Sequence, residues 1–245
     1  GRYYGECFLA IVGYIGNGAI IHYLADEDSC ATITADGILL LDSGGQYLQG
    51  TTDITRTTTL GMPTPAQKRH FTLVLKGHIA LSNIEFPQGA TGNQLDTLAR
   101  QFLWRAGLNY GHGTGHGVGF FLNVHEPPQG FATTTTTSRG STAFEAGMLT
   151  SNEPGYYLED HYGIRIENLM LCIPSQNKQA ENFLAFEALT LFPIDQKLID
   201  VELLENSEIE WLNHYHKEIE KQLSPHLDME ETEWLQQQCQ EIPAK

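Results

Sequence analysis

Short apolar and β-branched runs dominate the N-terminal part of the chain and predict β structure over residues 8–59. One apolar run ends at Asp42, three glycines follow within the next eight residues, and a threonine-rich run covers 51–59. Two such runs around a glycine-rich turn are typical of an antiparallel hairpin. We therefore expect Asp42 and Asp53 to lie near the two facing ends of this hairpin.

Apolar residues at helical spacing predict two helices after the hairpin, over 66–83 and 92–106. Thr64 followed by Pro65 marks the start of the first, because proline favours the first helical turn. Further strands are expected over 146–152, 163–172 and 184–192, a strand or its flanking loop at the threonine run 133–137, and acidic helices over 206–222 and 229–240.

Two glutamates are associated with the later strands. Glu153 follows the strand predicted at 146–152, and Glu167 lies within the strand predicted at 163–172, where Arg165 shares its face. Acidic residues near strand ends are usually solvated. If these apolar strands are central, however, each carboxylate must be paired or bound to a metal, because burying an isolated charge is very costly.

Three histidines lie in and just after a stretch with glycine at every other position, 111–119. They are His112, His116 and His125. A phosphate-binding loop would end in Lys-Ser or Lys-Thr before a helix, and a zinc-protease helix would have Glu directly after its first histidine; this stretch has neither. A single histidine is more often structural, but three in a glycine-rich stretch favour a functional role.

Composition narrows the class of protein. The 245 residues suit one globular domain, or one with an extension, and no apolar stretch reaches the ~20 residues needed to cross a bilayer. With 30 acidic and 14 basic residues the net charge is −16, which disfavours nucleic-acid binding, and more than half of this excess lies from Asp195 onward. Four widely spaced cysteines indicate a reducing compartment, hence the cytoplasm. Because the chain begins at Gly1, we expect a processed product or an excised fragment.

Charge balance suggests how many ions a site built from these residues would hold. Four carboxylates and one neutral imidazole carry −4, which two divalent cations would cancel. Carboxylates with an imidazole suit Mn²⁺, Co²⁺ or Zn²⁺. Two such ions close together are the usual arrangement in two-metal hydrolases.

Eight motifs, in order along most of the chain, resemble the catalytic domain of the Xaa-Pro aminopeptidases (aminopeptidase P). These enzymes form part of the pita-bread metallopeptidase family M24, which also holds methionine aminopeptidase and prolidase. The motifs are NGAIIH (17–22), LDSGGQY (41–47), TDITRT (52–57), VLKGHIA (74–80), HGTGHGVG (112–119), LNVHE (122–126), SNEPGYY (151–157) and RIEN (165–168).

The resemblance implies an α+β pita-bread fold, in which a curved antiparallel sheet carries helices outside and two metals in its concave face. It implies a catalytic domain over 1–194, with its N-terminal part missing, and an acidic helical C-terminal extension over 195–245 that serves dimerisation. A homodimer is therefore expected.

By position, the resemblance implies five metal ligands: Asp42, Asp53, His116, Glu153 and Glu167. Asp53 and Glu167 would bridge the metals, Asp42 would bind one metal, and His116 and Glu153 would bind the other. Glu153 would also handle the proton of a metal-bridging water.

The resemblance implies a surrounding set of substrate-contacting and proton-handling histidines, namely His22, His112 and His125. Arg165 matches an arginine beside the bridging carboxylate, and Tyr157 a pocket tyrosine.

The activity implied is hydrolysis of the bond between the first residue of a peptide and a proline at position two, through a metal-bridging hydroxide. His125 or Glu153 would protonate the leaving nitrogen. Manganese is the expected metal, with zinc or cobalt as alternatives. The rival interpretations are a prolidase, which cleaves Xaa-Pro dipeptides, a non-catalytic binding module on the same fold, and an interaction protein acting through its acidic tail.

Overall fold

The computed structural model describes residues 2–133, 138–177, 179 and 181–245. The strands are β1 (Tyr3–Glu6), β2 (Ile11–Tyr14), β3 (Ile38–Ser43), β4 (Gly45–Tyr47), β5 (Gly50–Thr51), β6 (Ile54–Thr59), β7 (Phe86–Pro87), β8 (Gly115–Gly117), β9 (Glu126–Phe131), β10 (Leu149–Asn152), β11 (Gly155–Leu158), β12 (Tyr162–Arg165), β13 (Asn168–Pro174) and β14 (Phe183–Ala188). The α-helices are α1 (Pro65–Ser82), α2 (Gly92–Arg105), α3 (Ser138–Ser141), α4 (Asn206–Leu223) and α5 (Met229–Gln238). Of the predicted threonine segment, 134–137 lies outside the described residues.

The described strands pair antiparallel throughout. One sheet has the order β7-β14-β13-β10-β8-β9, a second has β2-β3-β6, a third has β1-β4-β5, and β11 pairs with β12. The predicted hairpin is confirmed as β3 and β6, with Asp42 opposite Thr55. The small β4–β5 hairpin occupies the glycine-rich turn, and Asp53 directly precedes β6.

The two central helices match the sequence expectation closely. Thr64 caps α1, because its side chain accepts the Gln67 backbone N–H while the Gln67 side chain accepts the Thr64 N–H. At the crossing of α1 and α2, a Cβ on Gly77 would overlap the Ala99 carbonyl oxygen. Glycine at this position therefore allows the two helices to pack backbone against backbone.

The strand predicted over 163–172 is interrupted, which corrects the expected position of Glu167. β12 ends at Arg165 and β13 begins at Asn168, so Glu167 lies in a two-residue break. Its backbone N–H donates to the Thr55 carbonyl oxygen on β6 (3.1 Å). The break therefore moves the backbone of Glu167 from its own strand to the neighbouring sheet.

The C-terminal helices share the core of the body. Ile209, Leu212 and Ile219 of α4 and Leu235 of α5 are almost fully buried in one hydrophobic cluster with α1 and β12. This core continues across the boundary predicted after residue 194. None of the helices within the described residues has both the length and the apolar character needed to cross a bilayer.

Candidate active site

One cavity of about 470 Å³ brings together nine of the ten side chains singled out from the sequence. Those lining it are Asp42, Asp53, Glu153, Glu167, His22, His112, His116, His125 and Arg165. The tenth, Tyr157, lies behind the wall and bonds to two of them through its hydroxyl. The remaining wall is largely apolar, formed by Phe8, Leu9, Ile11, Ile21, Leu24 and Val124.

The centre of the cavity holds a compact group of predicted metal ligands. One ligand atom each from Asp53, His116 and Glu167 lie within 4.8 Å of one another. His116 Nε2 is 3.5 Å from Asp53 Oδ2 and 3.2 Å from Glu153 Oε1. Four of the five predicted ligands are therefore gathered around one imidazole nitrogen.

Asp42, the fifth predicted ligand, has one satisfied and one unsatisfied oxygen. Arg165 Nη2 donates to its Oδ2 (2.7 Å). Its Oδ1 is buried and has no partner among the described residues. A buried carboxylate oxygen without a donor is costly, and a cation is the kind of group that would satisfy it.

The carboxylates repel one another in the metal-free protein. Burial, together with the charges of Asp42 and Glu153, raises the pKa of Asp53 to about 8. Burial and the neighbouring carboxylates also raise the pKa of Glu167 well above its usual value, and burial raises that of Asp42 despite Arg165. The donor set of oxygens and one imidazole therefore fits divalent cations, which would remove this repulsion.

His116 and Glu153 behave as an ion pair when no cation is bound. Burial disfavours both charges, but their mutual hydrogen bond and attraction lower the pKa of Glu153 to about 2 and raise that of His116 to about 8. His116 Nδ1 lies 3.0 Å from the Gly117 carbonyl oxygen. Donation from Nδ1 to that carbonyl leaves Nε2 as the ligand atom.

Ser151 joins these two residues across neighbouring strands. Its hydroxyl accepts the His116 backbone N–H (3.0 Å) and donates to Glu153 Oε1 (3.0 Å). The pairing of β8 with β10, with Gly117 opposite Thr150, brings the histidine strand beside the strand that ends at Glu153. The sheet register therefore sets the distance between the two side chains.

A hydrogen-bonded chain runs from Arg165 through Tyr157 to His112. Arg165 Nη1 donates to the Tyr157 hydroxyl (2.9 Å), which lies 2.8 Å from His112 Nε2. His112 Nδ1 lies 2.8 Å from the Gly113 carbonyl oxygen, so Nδ1 is the donor and Nε2 accepts from Tyr157. Burial lowers the pKa of His112 and raises that of Tyr157 to about 12, which keeps both neutral.

The other two predicted histidines lie at the exposed side of the cavity. The His125 ring stands edge-on to the His116 ring, with centroids 4.2 Å apart. Burial and His116 lower the pKa of His125, so it is neutral near pH 7. His22 is exposed and lines the same cavity.

Two residues in contact with the site were not singled out from the sequence. Thr55 donates to Glu167 Oε2 (2.7 Å) and accepts from Arg165 Nε (3.1 Å), so it joins a predicted ligand to the arginine. Its place between Asp53 and Arg56 in the TDITRT motif was the available signal. Arg139 lines the cavity from the four-residue helix α3, and no periodic pattern indicated it.

A buried ion pair behind the glycine-rich loop also escaped the sequence reasoning. Arg100 Nε donates to Asp96 Oδ2 (2.6 Å), and its Nη2 donates to the His112 carbonyl oxygen (2.7 Å). Asp96 Oδ1 accepts from Thr114, whose own carbonyl accepts the Glu153 N–H (2.7 Å). The pair therefore holds the backbone of two site segments.

Comparison with known proteins then assigns the family. The model of metallopeptidase family M24 matches residues 1–174, and the model of its C-terminal region matches 182–242. The chain belongs to metallopeptidase family M24. Its α+β fold and its membership of the pita-bread group, expected from the motifs, are both confirmed.

Among curated M24 relatives, a protein named probable Xaa-Pro aminopeptidase P from Laccaria bicolor is 48% identical over 240 residues. Aminopeptidase P2 of Arabidopsis thaliana is 47% identical over 232 residues. These matches cover 96% and 93% of this chain but only 37% and 32% of the relatives. The chain therefore spans about a third of the length of these curated relatives.

Solved M24 structures resemble the chain to different degrees. An X-prolyl aminopeptidase from Caenorhabditis elegans, described as a cytosolic enzyme with a di-nuclear active site, superposes with a TM-score of 0.93 at 40% identity. It covers 98% of this chain, which corresponds to 39% of that protein. Prolidase from Pyrococcus furiosus is more distant, with a TM-score of 0.62 at 28% identity over 76% of this chain and 49% of its own.

Proposed function

We propose that this chain is the catalytic part of a two-metal peptidase that removes the first residue of peptides with proline at position two. The observation that carries the proposal is the gathering of four carboxylates and His116 in one cavity, with an unsatisfied Asp42 oxygen and raised carboxylate pKa values. The names of the M24 relatives support the choice of Xaa-Pro bonds over other peptide bonds.

The metal site we propose uses the five residues predicted from the sequence. Asp53 and Glu167 would bind both divalent ions. Asp42 would be a further ligand of one ion, and His116 and Glu153 would be further ligands of the other. Manganese is the ion we expect, with zinc or cobalt as alternatives. When bound, the ions would polarise the scissile carbonyl and make water a stronger nucleophile.

The chain's own groups would handle the protons. Glu153 is partly accessible from the cavity and would accept a proton from the attacking water. The nitrogen of a bond to proline carries no hydrogen, so it must be protonated as it leaves. Glu153 would return the proton that it accepted from the water, either directly or through His125, which is exposed at the cavity mouth and, being neutral, can take this proton on one ring nitrogen while it releases another.

Substrate would be oriented by the histidines and the apolar wall. His22, His112 and His125 are the proposed contacts for the peptide backbone, and Tyr157 with Arg165 holds His112 in place. The apolar residues of the cavity would receive the first side chain and the proline ring.

For the whole protein we propose three further features. The catalytic domain covers 1–194 and the helical extension 195–245. The protein is a homodimer through its C-terminal region and acts on peptides, not on nucleic acids or membranes. It works in the cytoplasm, which is supported by the description of the Caenorhabditis elegans relative as cytosolic.

The deciding experiment uses the full-length protein loaded with Mn²⁺. We expect cleavage of Xaa-Pro-Xaa tripeptides, and Asp53→Ala to lose metal and activity together because a bridging ligand serves both ions. Glu187→Ala, which removes an exposed carboxylate on β14, is the control and should keep both. Cleavage of Xaa-Pro dipeptides alone would favour a prolidase, and peptide binding without turnover a binding module. Retained activity in Asp53→Ala would refute the ligand assignment.

A further inference from the structure

A buried arginine, Arg56 on β6, connects the candidate metal centre to the C-terminal region. Its Nη1 donates to the Glu167 carbonyl oxygen (2.6 Å) and the Thr55 carbonyl oxygen (2.9 Å). Its other nitrogens donate to oxygens of Pro193, Asn168, Phe192 and Tyr215 at 2.8–3.1 Å. Within the described residues, none of these six acceptors is a carboxylate, so the hydrogen bonds of the guanidinium go to neutral groups.

Arg56 and its neighbour control the backbone of Glu167. This residue lies in the break between β12 and β13, where its own strand gives it no ladder partner. Its N–H donates to Thr55 (3.1 Å) and its carbonyl oxygen accepts from Arg56 (2.6 Å). Its side chain accepts from the Thr55 hydroxyl (2.7 Å). The peptide that carries this predicted ligand is thus fixed by β6 and by the position of the guanidinium.

Three of the six acceptors that fix the guanidinium belong to residues matched by the C-terminal family model, 182–242. Of these, Tyr215 on α4 is the side-chain acceptor. Its hydroxyl lies 3.0 Å from Arg56 Nη2 and donates to the Thr190 carbonyl oxygen (2.8 Å). The Tyr215 ring stacks on Trp211, with centroids 5.2 Å apart and planes 13° apart. The tyrosine is therefore itself rigidly held.

We propose that Tyr215 and Arg56 are positioning residues, through which the C-terminal region orients Glu167 for metal binding. This inference rests on the proposed function, because it takes Glu167 as a ligand. It gives the extension a role in building the centre, in addition to any role in assembly. Partners that orient metal ligands commonly change metal affinity by 10–100-fold when removed.

The test compares Tyr215→Phe with Tyr14→Phe in the full-length protein. Both tyrosines are almost equally buried, at 6% and 7% exposure, and both hydroxyls donate to a backbone carbonyl. The Tyr14 hydroxyl bonds to Thr34 and Asp36, and Tyr14 is not among the residues that line the cavity. The pair therefore separates loss of a buried hydroxyl from loss of the contact with Arg56.

Mn²⁺ binding to each variant is measured by calorimetry, and thermal unfolding is measured with a chelator present. We expect both variants to stay folded with lower melting temperatures, Tyr215→Phe losing more because it also removes an acceptor from a buried charge, and Mn²⁺ affinity reduced about tenfold in Tyr215→Phe alone. At saturating Mn²⁺, Tyr215→Phe should regain kcat with an unchanged KM, because Tyr215 is outside the cavity. Equal Mn²⁺ affinity in the two variants would overturn the inference while leaving the proposed function intact. No Mn²⁺ binding by the unaltered protein would overturn both.

Discussion

Replacing Asp53 by asparagine is expected to stabilise the metal-free protein while abolishing its response to metal. Asp53 is 5% exposed, and burial with the charges of Asp42 and Glu153 raises its pKa to about 8. Asparagine has nearly the same shape but no charge. At pH 7 the raised pKa leaves Asp53 mostly protonated in the metal-free protein, so the substitution removes the free-energy cost of that protonation.

The size of the effect follows from the pKa shift. In the unfolded chain the carboxyl has its ordinary pKa of 3.8 and is ionised at pH 7. Protonating this carboxyl at pH 7, about three pH units above its ordinary pKa, costs about 1.4 kcal/mol for each unit. The gain from removing that cost therefore has an upper value of about 4 kcal/mol. Asp42 and Glu167 titrate together with Asp53, so part of the protonation cost stays with them after the substitution. We therefore expect a net gain of about 2 kcal/mol in the free energy of unfolding.

The assay is urea unfolding at pH 7, first with a chelator and then with Mn²⁺. Asp96→Asn is the matched control, because Asp96 is an equally buried aspartate that is paired with Arg100. It should lose about 3 kcal/mol, the low end of the cost of breaking a buried ion pair. Two identical chemical changes should thus have opposite signs.

Two results would refute this reasoning. If Asp53→Asn were less stable than the unaltered protein in chelator, repulsion among the carboxylates would not govern the metal-free state. If Mn²⁺ still raised the stability of the variant as much as that of the unaltered protein, Asp53 would not be a ligand.

Three further predictions concern pH and the contacts around the ligands. In chelator, stability should fall as the pH rises from 7 to 8, because Asp53 and His116 both have pKa values raised to about 8, while the histidines whose pKa values are lowered by burial are by then neutral in both states. Each extra proton held by the folded state contributes up to about 1.4 kcal/mol per pH unit, measurable by unfolding at several pH values. Ser151→Ala removes a donor to Glu153 and should raise the pKa of that carboxyl. The acidic side of the kcat–pH profile should therefore move to higher pH, and an unchanged profile would mean that Glu153 does not govern it. Tyr157→Phe frees Arg165 from its hydroxyl acceptor and should lower kcat/KM about tenfold in a tripeptide assay, and an unchanged value would exclude this chain of hydrogen bonds from catalysis.

Local patterns were sufficient for much of the fold. The helix after Thr64 followed from its cap and proline, and the β3–β6 hairpin followed from two β-rich runs around a glycine-rich turn. Eight of the ten candidate site residues were indicated by the predicted strands and the glycine-rich stretch, whereas His22 and Tyr157 came only from the resemblance. Their meeting around one cavity is a property of the tertiary structure, which the motif order implied only through the resemblance.

The features that sequence reasoning missed depend on contacts distant in the chain. The alternation through Arg165 and Glu167 resembles a continuous strand, yet the backbone of Glu167 bonds to Thr55, more than a hundred residues earlier. In the sequence Arg56 is one charged residue in a threonine-rich strand, whereas in the structure its guanidinium is buried and bonds to Tyr215 of α4. Asp96 and Arg100 are four residues apart on α2, a spacing that does not distinguish an exposed pair from a buried one, because their burial depends on how the glycine-rich loop packs over them.

The predicted ligands come from widely separated parts of the chain, with Asp42 and Asp53 before residue 60 and His116, Glu153 and Glu167 between residues 116 and 167. Ions held by both groups of ligands would act as a reversible cross-link that closes a loop of more than a hundred residues between Asp42 and Glu167, and their binding energy would add directly to the free energy of unfolding. Metal supply would then set resistance to proteolysis as well as catalysis, so a cell short of the ion would lose the protein itself and not only its activity.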